Sequence, residues 1–265
     1  LGAPVTSDNC SVAGVVAQVG VATINPATYL FPIGETTVIW TVTDGSGLIA
    51  SCNQKVTVTD DEAPTIVCPP DVITVTSADG IGNCTTTAVL GSPVTSDNCS
   101  VAEVIARVNG VTINPSTYLF QIGTTQVTWT VTDGSGNMSS CNQQVTVTDD
   151  EPPTIICPPD ITTVTSADGT GNCTTKASLG TPSTADNCNV STVIAKIGVD
   201  VIDPATYPFP LGETIVTWTV TDGSGRTAAC NQKVTVADNE NPVIACPADV
   251  VTVTSANGTG NCTTT

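Results

Sequence analysis

The sequence predicts an all-β chain: tandem Greek-key β-sandwiches, stapled by disulfides and arranged as a rod. Three observations carry this. First, cysteines recur every 89 residues, as Cys10, Cys99 and Cys188; Cys52, Cys141 and Cys230; Cys68, Cys157 and Cys246; and Cys84, Cys173 and Cys262. No insertion or deletion interrupts that register, so one fold unit is used repeatedly. Second, apolar and polar residues alternate with period two over short segments, which marks strands with one buried face. Third, glycine-containing turns separate these segments at short intervals, and no convincing helical pattern occurs.

Within one unit the strands follow in order at 65–68, 73–76, 85–90, 101–108, 117–122, 127–132 and 141–148. The strongest is 127–132, where Val127, Trp129 and Val131 alternate with Thr128, Thr130 and Thr132. The same pattern returns as Val38, Trp40, Val42 and as Val216, Trp218, Val220. Thr-Asp-Gly-Ser-Gly at 132–136 then reverses the chain, its glycines supplying the positive φ of a tight turn. The closing strand places Val145 and Val147 on one face. About seven short strands per unit is the count of an immunoglobulin-type sandwich.

Acidic residues followed by proline punctuate the chain at 60–64, 149–153 and 238–242. Such segments end a strand and stiffen a linker. They divide the chain into 1–62, the C-terminal part of a module; 63–151 and 152–240, two complete modules; and 241–265, the N-terminal strands of another. The first residue is Leu1, inside a repeat. The expectation is a processed protein or a window of a longer one, with strand donation by a neighbouring subunit as the alternative.

Composition restricts function. The net charge is −18, from 24 acidic and 6 basic residues. That excludes nucleic acid and anionic membrane surfaces as partners, since both attract Lys and Arg. No run of 18 apolar residues is available to insert in a membrane. Histidine is absent and there is no C-x-x-C, so the cysteines read as disulfides in an extracellular setting rather than as zinc ligands. Without histidine there is no Ser-His or Cys-His nucleophile pair, and no enzyme is expected. Lys55 and Lys233 share a position that is Gln144 in the second unit, so a lysine isopeptide cross-link is not general.

Each unit reads as a Cys-Pro opening, Thr-Ser-Asp-Asn-Cys or a close variant, and a Phe-x-x-Gly segment leading to Trp-Thr-Val-Thr-Asp-Gly-Ser-Gly. Residues 119–134, Leu-Phe-Gln-Ile-Gly-Thr-Thr-Gln-Val-Thr-Trp-Thr-Val-Thr-Asp-Gly, are the sharpest instance. This pattern resembles the hyalin repeat, or HYR, domain over essentially the whole chain. The resemblance implies immunoglobulin-like modules in extracellular, often adhesive, tandem arrays without catalytic activity. A sandwich of this type suggests the pairs Cys10–Cys52, Cys99–Cys141 and Cys188–Cys230, leaving Cys68–Cys84, Cys157–Cys173 and Cys246–Cys262. The alternative joins Cys68 to a cysteine of the last strand.

Asp60, Asp61, Glu62, Asp149, Asp150, Glu151, Asp238 and Glu240 are candidate Ca²⁺ ligands at the joints. Asp97 and Asp133 read as turn formers that add ligands at most. Asn9, Asn83, Asn98, Asn137, Asn172, Asn189, Asn257 and Asn261 begin Asn-x-Ser/Thr acceptor sequences for N-glycans. The expected function is a structural or adhesive stalk, surface fibre or filament, whose partners are copies of itself or continuing repeats. Alternatives are an adhesion module for surface glycans or proteins, and a passive spacer. Tyr29, Tyr118 and Tyr207 are the candidate ligand contacts, with a core-corner role as the competing reading.

Overall fold

A computed structural model describes residues 1–79, 82–165 and 172–251, except the side chains of 78 and 79. It separates into two compact units, Leu1–Asp150 and Glu151–Thr265. The first unit opens with β1 (Val12–Val19), β2 (Ala22–Ile24), β3 (Gly34–Asp44) and β4 (Ile49–Val58), in one sheet ordered β2-β1-β3-β4. It continues with β5 (Thr65–Val67), β6 (Val72–Val75), β7 (Thr85–Thr86), β8 (Val94–Ser96), β9 (Val101–Val108), β10 (Val111–Ile113), β11 (Phe120–Gln121), β12 (Gly123–Asp133) and β13 (Met138–Thr148). Here the sheet has five strands, β10-β9-β12-β13-β6, accompanied by the pairs β5-β8 and β11-β7.

The second unit contains β14 (Thr154–Ile156), β15 (Ile161–Val164), β16 (Thr174–Lys176), β17 (Ser183–Ala185), β18 (Val190–Ile197), β19 (Asp200–Ile202), β20 (Pro208–Pro210), β21 (Gly212–Asp222) and β22 (Thr227–Ala237). Its sheet is β15-β22-β21-β18-β19, with the pairs β14-β17 and β16-β20. The only helical segment among the described residues is a 3₁₀ turn at Thr76–Asp79. The fold is an immunoglobulin-like β-sandwich.

The alternation in β12 does what the sequence requires. Val127, Trp129 and Val131 are buried, whereas Thr128, Thr130 and Thr132 are half-buried on the other face. Val127 and Trp129 pack with Phe120, Val145, Val147 and Leu90 into one core, and Phe209, Val216, Trp218, Val234 and Leu179 repeat it in the second unit. Gly123 sits at φ 102°, where a side chain would be strained, and lets the chain turn into β12. Two strands escaped the pattern, β8 and β10, because three residues carry too little periodicity to register. The expected strand 85–90 shortens to Thr85–Thr86, after which the chain is irregular through Leu90.

A buried amide ties the core together. Gln143 is fully buried on the same face of β13 as Val145. Its Oε1 accepts the Trp129 indole N–H at 3.0 Å, and its Nε2 donates to the Pro70 and Leu90 carbonyls at 2.7 and 2.9 Å. Gln232 repeats all three bonds with Trp218, Pro159 and Leu179. The backbone N–H of Gln144 is bonded by Asp71 and that of Lys233 by Asp160, each at 2.8 Å. These bonds hold β6 and β15 parallel to the closing strand.

The cysteine pairing differs from the first expectation. The structure joins Cys68 to Cys141 and Cys157 to Cys230, each pair 73 residues apart with Cα atoms 5.8 Å apart. This is the alternative in which Cys68 reaches the last strand. The reason is register. Cys141 lies opposite Trp129 and therefore faces the core, where the end of β5 passes. Cys99 lies outside the strands, just before β9, so Cys99–Cys141 and its equivalents do not form. The Cys68–Cys84 hairpin fails because β5 pairs with β8, while β7 beside Cys84 pairs with β11. Cys10, Cys52, Cys99, Cys173 and Cys246 carry free thiols, which removes Cys10–Cys52 and Cys157–Cys173. Cys84 and Cys188 are disulfide-bonded, so Cys188–Cys230 is excluded by the Cys157 bond. Cys262 lies outside the described residues.

Candidate metal centre

Two turns build an acidic pocket in each module. After β8, Asp97 turns its Oδ2 back onto the N–H groups of Cys99 and Ser100, both at 2.8 Å. That Asx turn leaves Asp97 Oδ1 buried and without a hydrogen-bond partner. At the end of β12, Asp133 uses Oδ1 to accept from the Ser135 and Asn137 N–H groups at 2.8 Å each. Gly134 N–H bonds Ser100 O at 3.1 Å, so the two turns are held side by side.

Asp60 completes the group. Asp60, Asp97 and Cys99 bring one ligand atom each within 4.8 Å of one another. The Asn137 amide donates at 2.8 Å to Asp133 Oδ2, at 3.1 Å to Asp60 O and at 3.3 Å to Glu62 O. A donor thus sits where acceptors converge, and a flipped amide would present an oxygen ligand instead. The pocket is strongly negative: partial desolvation, then the Asp60 carboxylate and those of Asp97 and Asp133, push the Cys99 thiol pKa up. Burial raises the Asp133 carboxyl, but the Asn137 side chain and the N–H groups of Asn137, Ser135 and Gly136 outweigh it and hold it below its ordinary value.

The second unit repeats the turns. Asp186 Oδ2 accepts from Cys188 and Asn189 at 2.9 and 2.7 Å, and Asp222 Oδ1 accepts from Ser224 and Arg226 N–H at 2.9 and 2.8 Å. Their remaining oxygens, Asp186 Oδ1 and Asp222 Oδ2, are buried and have no hydrogen-bond partner, and the two carboxylates each bring an oxygen within 4.8 Å of the other. Asp222 is only 2% exposed, so an anionic oxygen is withdrawn from water with nothing on the protein to receive it. Burial raises the Asp222 carboxyl, but the Arg226, Ser224 and Gly225 donors outweigh it and hold its pKa below the ordinary value.

The joint residues divide. Asp60 joins the turns. Asp61 and Glu62 are exposed; Glu62 contributes its carbonyl to Asn137 and its backbone N–H to Asp60 Oδ1 at 3.3 Å. Asp149 and Asp150 accept from Thr76 and Ser77 of their own unit at 3.3 and 2.6 Å. Glu151 is half-buried. Asp238 accepts from Thr165 and Glu240 N–H at 3.4 and 3.0 Å, leaving Glu240 exposed. Beside the joint residues singled out in the sequence, the turns contribute Asp97, Asp133, Asp186 and Asp222; their 89-residue spacing was the available signal.

The acceptor asparagines also divide. Asn9, Asn98, Asn172 and Asn189 are exposed. Asn137 spends its amide nitrogen on three bonds, and Asn83 caps Thr85 through Oδ1 at 3.0 Å. Asn257 and Asn261 lie outside the described residues. The tyrosines are corners: Tyr118 packs edge-on against Phe120 at 4.8 Å and joins the core, as Tyr207 does with Phe209 at 4.9 Å. Tyr29 makes the same contact with Phe31.

A family model for the HYR domain matches residues 59–147 and 148–236. The chain is similar to hyalin of Strongylocentrotus purpuratus, 30% identical over 84% of this chain and 18% of that one. It is similar to hyalin of Lytechinus variegatus at 28% identity over 94% of this chain and 44% of that one. It also matches a mouse protein named for its Sushi, von Willebrand factor type A, EGF and pentraxin domains, at 35% identity over 65% of this chain and 4% of that one. The chain thus spans less than half the length of each of these relatives. With both complete repeats matched and the disulfide and turns reproduced in each, the chain belongs to the HYR domain family.

Proposed function

We propose that this chain is a segment of an extracellular structural and adhesive array, in which HYR modules at 63–151 and 152–240 act through number and spacing. The array would form a stalk, surface fibre or filament, with continuing repeats or copies of itself as partners. The single observation behind this reading is the repetition of an identical internal frame. The disulfide, the Gln143 network and the two aspartate turns recur 89 residues later as Cys157–Cys230, Gln232, Asp186 and Asp222. Electron microscopy of native material tests this reading: fibres with a regular axial repeat are expected, and isolated particles without order would refute it.

We assign Ca²⁺ to the turn aspartates. Hard carboxylate and carbonyl oxygens suit it, and the two partnerless oxygens of Asp186 and Asp222 favour a cation there. Chelator should lower the thermal midpoint of the native protein, and Asp222→Asn should remove the share of that sensitivity carried by the second unit. An unchanged midpoint in chelator overturns the assignment.

A further inference from the structure

In the first unit one side chain already occupies the place a cation would take. The Asn137 amide nitrogen donates to Asp133 Oδ2 at 2.8 Å, to the Asp60 carbonyl at 3.1 Å and to the Glu62 carbonyl at 3.3 Å. A primary amide has two N–H hydrogens, so three oxygens share two donors. Oxygens gathered more closely than donors can satisfy them are the usual surroundings of a hard cation, and Ca²⁺ takes roughly six to eight of them. Asp97 Oδ1 is also buried without a partner, and Asp60 and Asp97 each bring an oxygen within 4.8 Å of the other.

The second unit has the same turn without the amide. Asp222 corresponds to Asp133, and Arg226 stands where Asn137 does. Both aspartates are 2% exposed, yet Asp133 Oδ2 is bonded by Asn137 while Asp222 Oδ2 has no hydrogen-bond partner. The backbone of the turn is unchanged. The N–H groups of Asn137 and Arg226 each donate to the Oδ1 of their aspartate at 2.8 Å, and their carbonyls accept its N–H at 3.1 and 3.0 Å. The side chain at this one position therefore decides whether the buried carboxylate oxygen is capped by the protein or left for a ligand.

We propose that Asn137 is a built-in competitor of Ca²⁺: its amide nitrogen stands in for the ion in the first unit and swings out when the ion enters. The motion is local. Two bonds with Asp133 fix the Asn137 backbone in the turn, while its side chain is half-buried and reaches solvent by rotation about its own χ angles. The amide is neutral and meets the oxygens only with the partial charges of its N–H groups, whereas a divalent ion meets them with full charge. Entry of the ion exchanges three hydrogen bonds for ionic coordination. The plugged state cannot bind, so the affinity of the site is reduced by the fraction of molecules that are open. In an array, the residue at this position, Leu48, Asn137 or Arg226, then sets the concentration at which a module loads. This rests on the assignment of Ca²⁺ to the turn aspartates and adds how its affinity is set.

The test titrates Ca²⁺ into the whole 265-residue chain carrying Asp44→Asn and Asp222→Asn, which take the equivalent turns out of the measurement. Adding Asn137→Ala should tighten binding by about tenfold or more in calorimetry, the factor that a plug closed in about nine molecules of ten imposes. A second readout needs no alanine variant to bind. The side-chain N–H signals of Asn137 in nuclear magnetic resonance should move to solvent-exposed positions as Ca²⁺ saturates the chain. Affinity that is unchanged in the alanine variant would overturn the proposal, as would weaker affinity, which is the mark of an amide oxygen that ligates the ion. So would N–H signals that stay in place at saturation. If the parent chain and both variants take up no Ca²⁺, the calcium assignment fails and the plug with it. Binding that ignores Asn137→Ala leaves the assignment standing and removes only the plug.

Discussion

Replacing Cys68 and Cys141 together by alanine should cost the first complete module about 4.4 kcal/mol. The figure follows from the pairing. A bond closing 73 residues restricts the unfolded chain more than the 15- or 16-residue loops of a hairpin pairing, for which the same entropy model gives about 3 kcal/mol. An 89-residue module has a total stability of roughly 4–13 kcal/mol, so the loss brings it near the margin. The assay is urea unfolding followed through Trp129, with Trp40→Phe and Trp218→Phe in both parent and variant. With a slope of about 2 kcal/mol per M, the midpoint should fall by about 2 M. The second module keeps Cys157–Cys230 and serves as the reference in a companion pair that retains Trp218 and carries Trp40→Phe and Trp129→Phe, whose midpoint should not move. Cys99→Ala, in contrast, should move the midpoint by less than about 0.3 M, since Cys99 carries a free thiol. A double-alanine shift below about 0.5 M, or an equal effect of Cys99→Ala, would refute the reasoning.

Three further expectations follow from the side chains. Gln143→Ala strands the Trp129 N–H and the Pro70 and Leu90 carbonyls, and should cost at least about 3 kcal/mol in urea unfolding. Gln54→Ala should cost less, because Gln54 makes the Trp40 bond and neither carbonyl bond. The lowered pKa values of Asp133 and Asp222 give stability that is present above the unfolded carboxyl value and lost as pH falls through the folded one. Thermal midpoints should therefore drop below about pH 4, and Asp133→Asn should flatten that drop. The Glu213 side chain and its charge raise Lys233, so the Lys233–Glu213 pair contributes below the lysine's ordinary value and fades as pH rises through the raised one. Being exposed, it should change the midpoint little when Lys233 becomes Met, and high salt should abolish what effect there is.

Much of the fold was legible because it rests on local pattern. The Val127, Trp129, Val131 alternation fixes a buried face, and the Asp133–Gly134 turn fixes where the chain reverses. The 89-residue register then multiplies one reading into several. Disulfide partners were not legible in the same way. They depend on which strand β5 lies against, a choice between sheet edges that spacing does not encode. Gln143 was equally hidden: it shares the inward face with Val145, yet a lone glutamine gives no sign that two carbonyls await it. Asp97 and Asp133 were visible as turn formers, but their convergence with Asp60 needs the two turns held together by the Gly134–Ser100 bond. At position 35 the repeat itself supplied a hint. Glu35 and Lys55 pair at 2.9 Å, Glu213 and Lys233 pair at 3.0 Å, and the middle unit replaces both partners with Thr124 and Gln144.

A structural array has to keep its length under tension, and stretching the chain by single-molecule force spectroscopy tests that most directly. With Cys68–Cys141 and Cys157–Cys230 intact, 73 of each 89 residues are locked and about 16 can extend (89 − 73). At roughly 3.5 Å per residue, each complete module should lengthen by no more than about 60 Å. After reduction the same modules should lengthen by up to about 300 Å. Long steps in the oxidised protein, or steps that reduction leaves unchanged, would contradict a length-keeping role for the repeated disulfide frame.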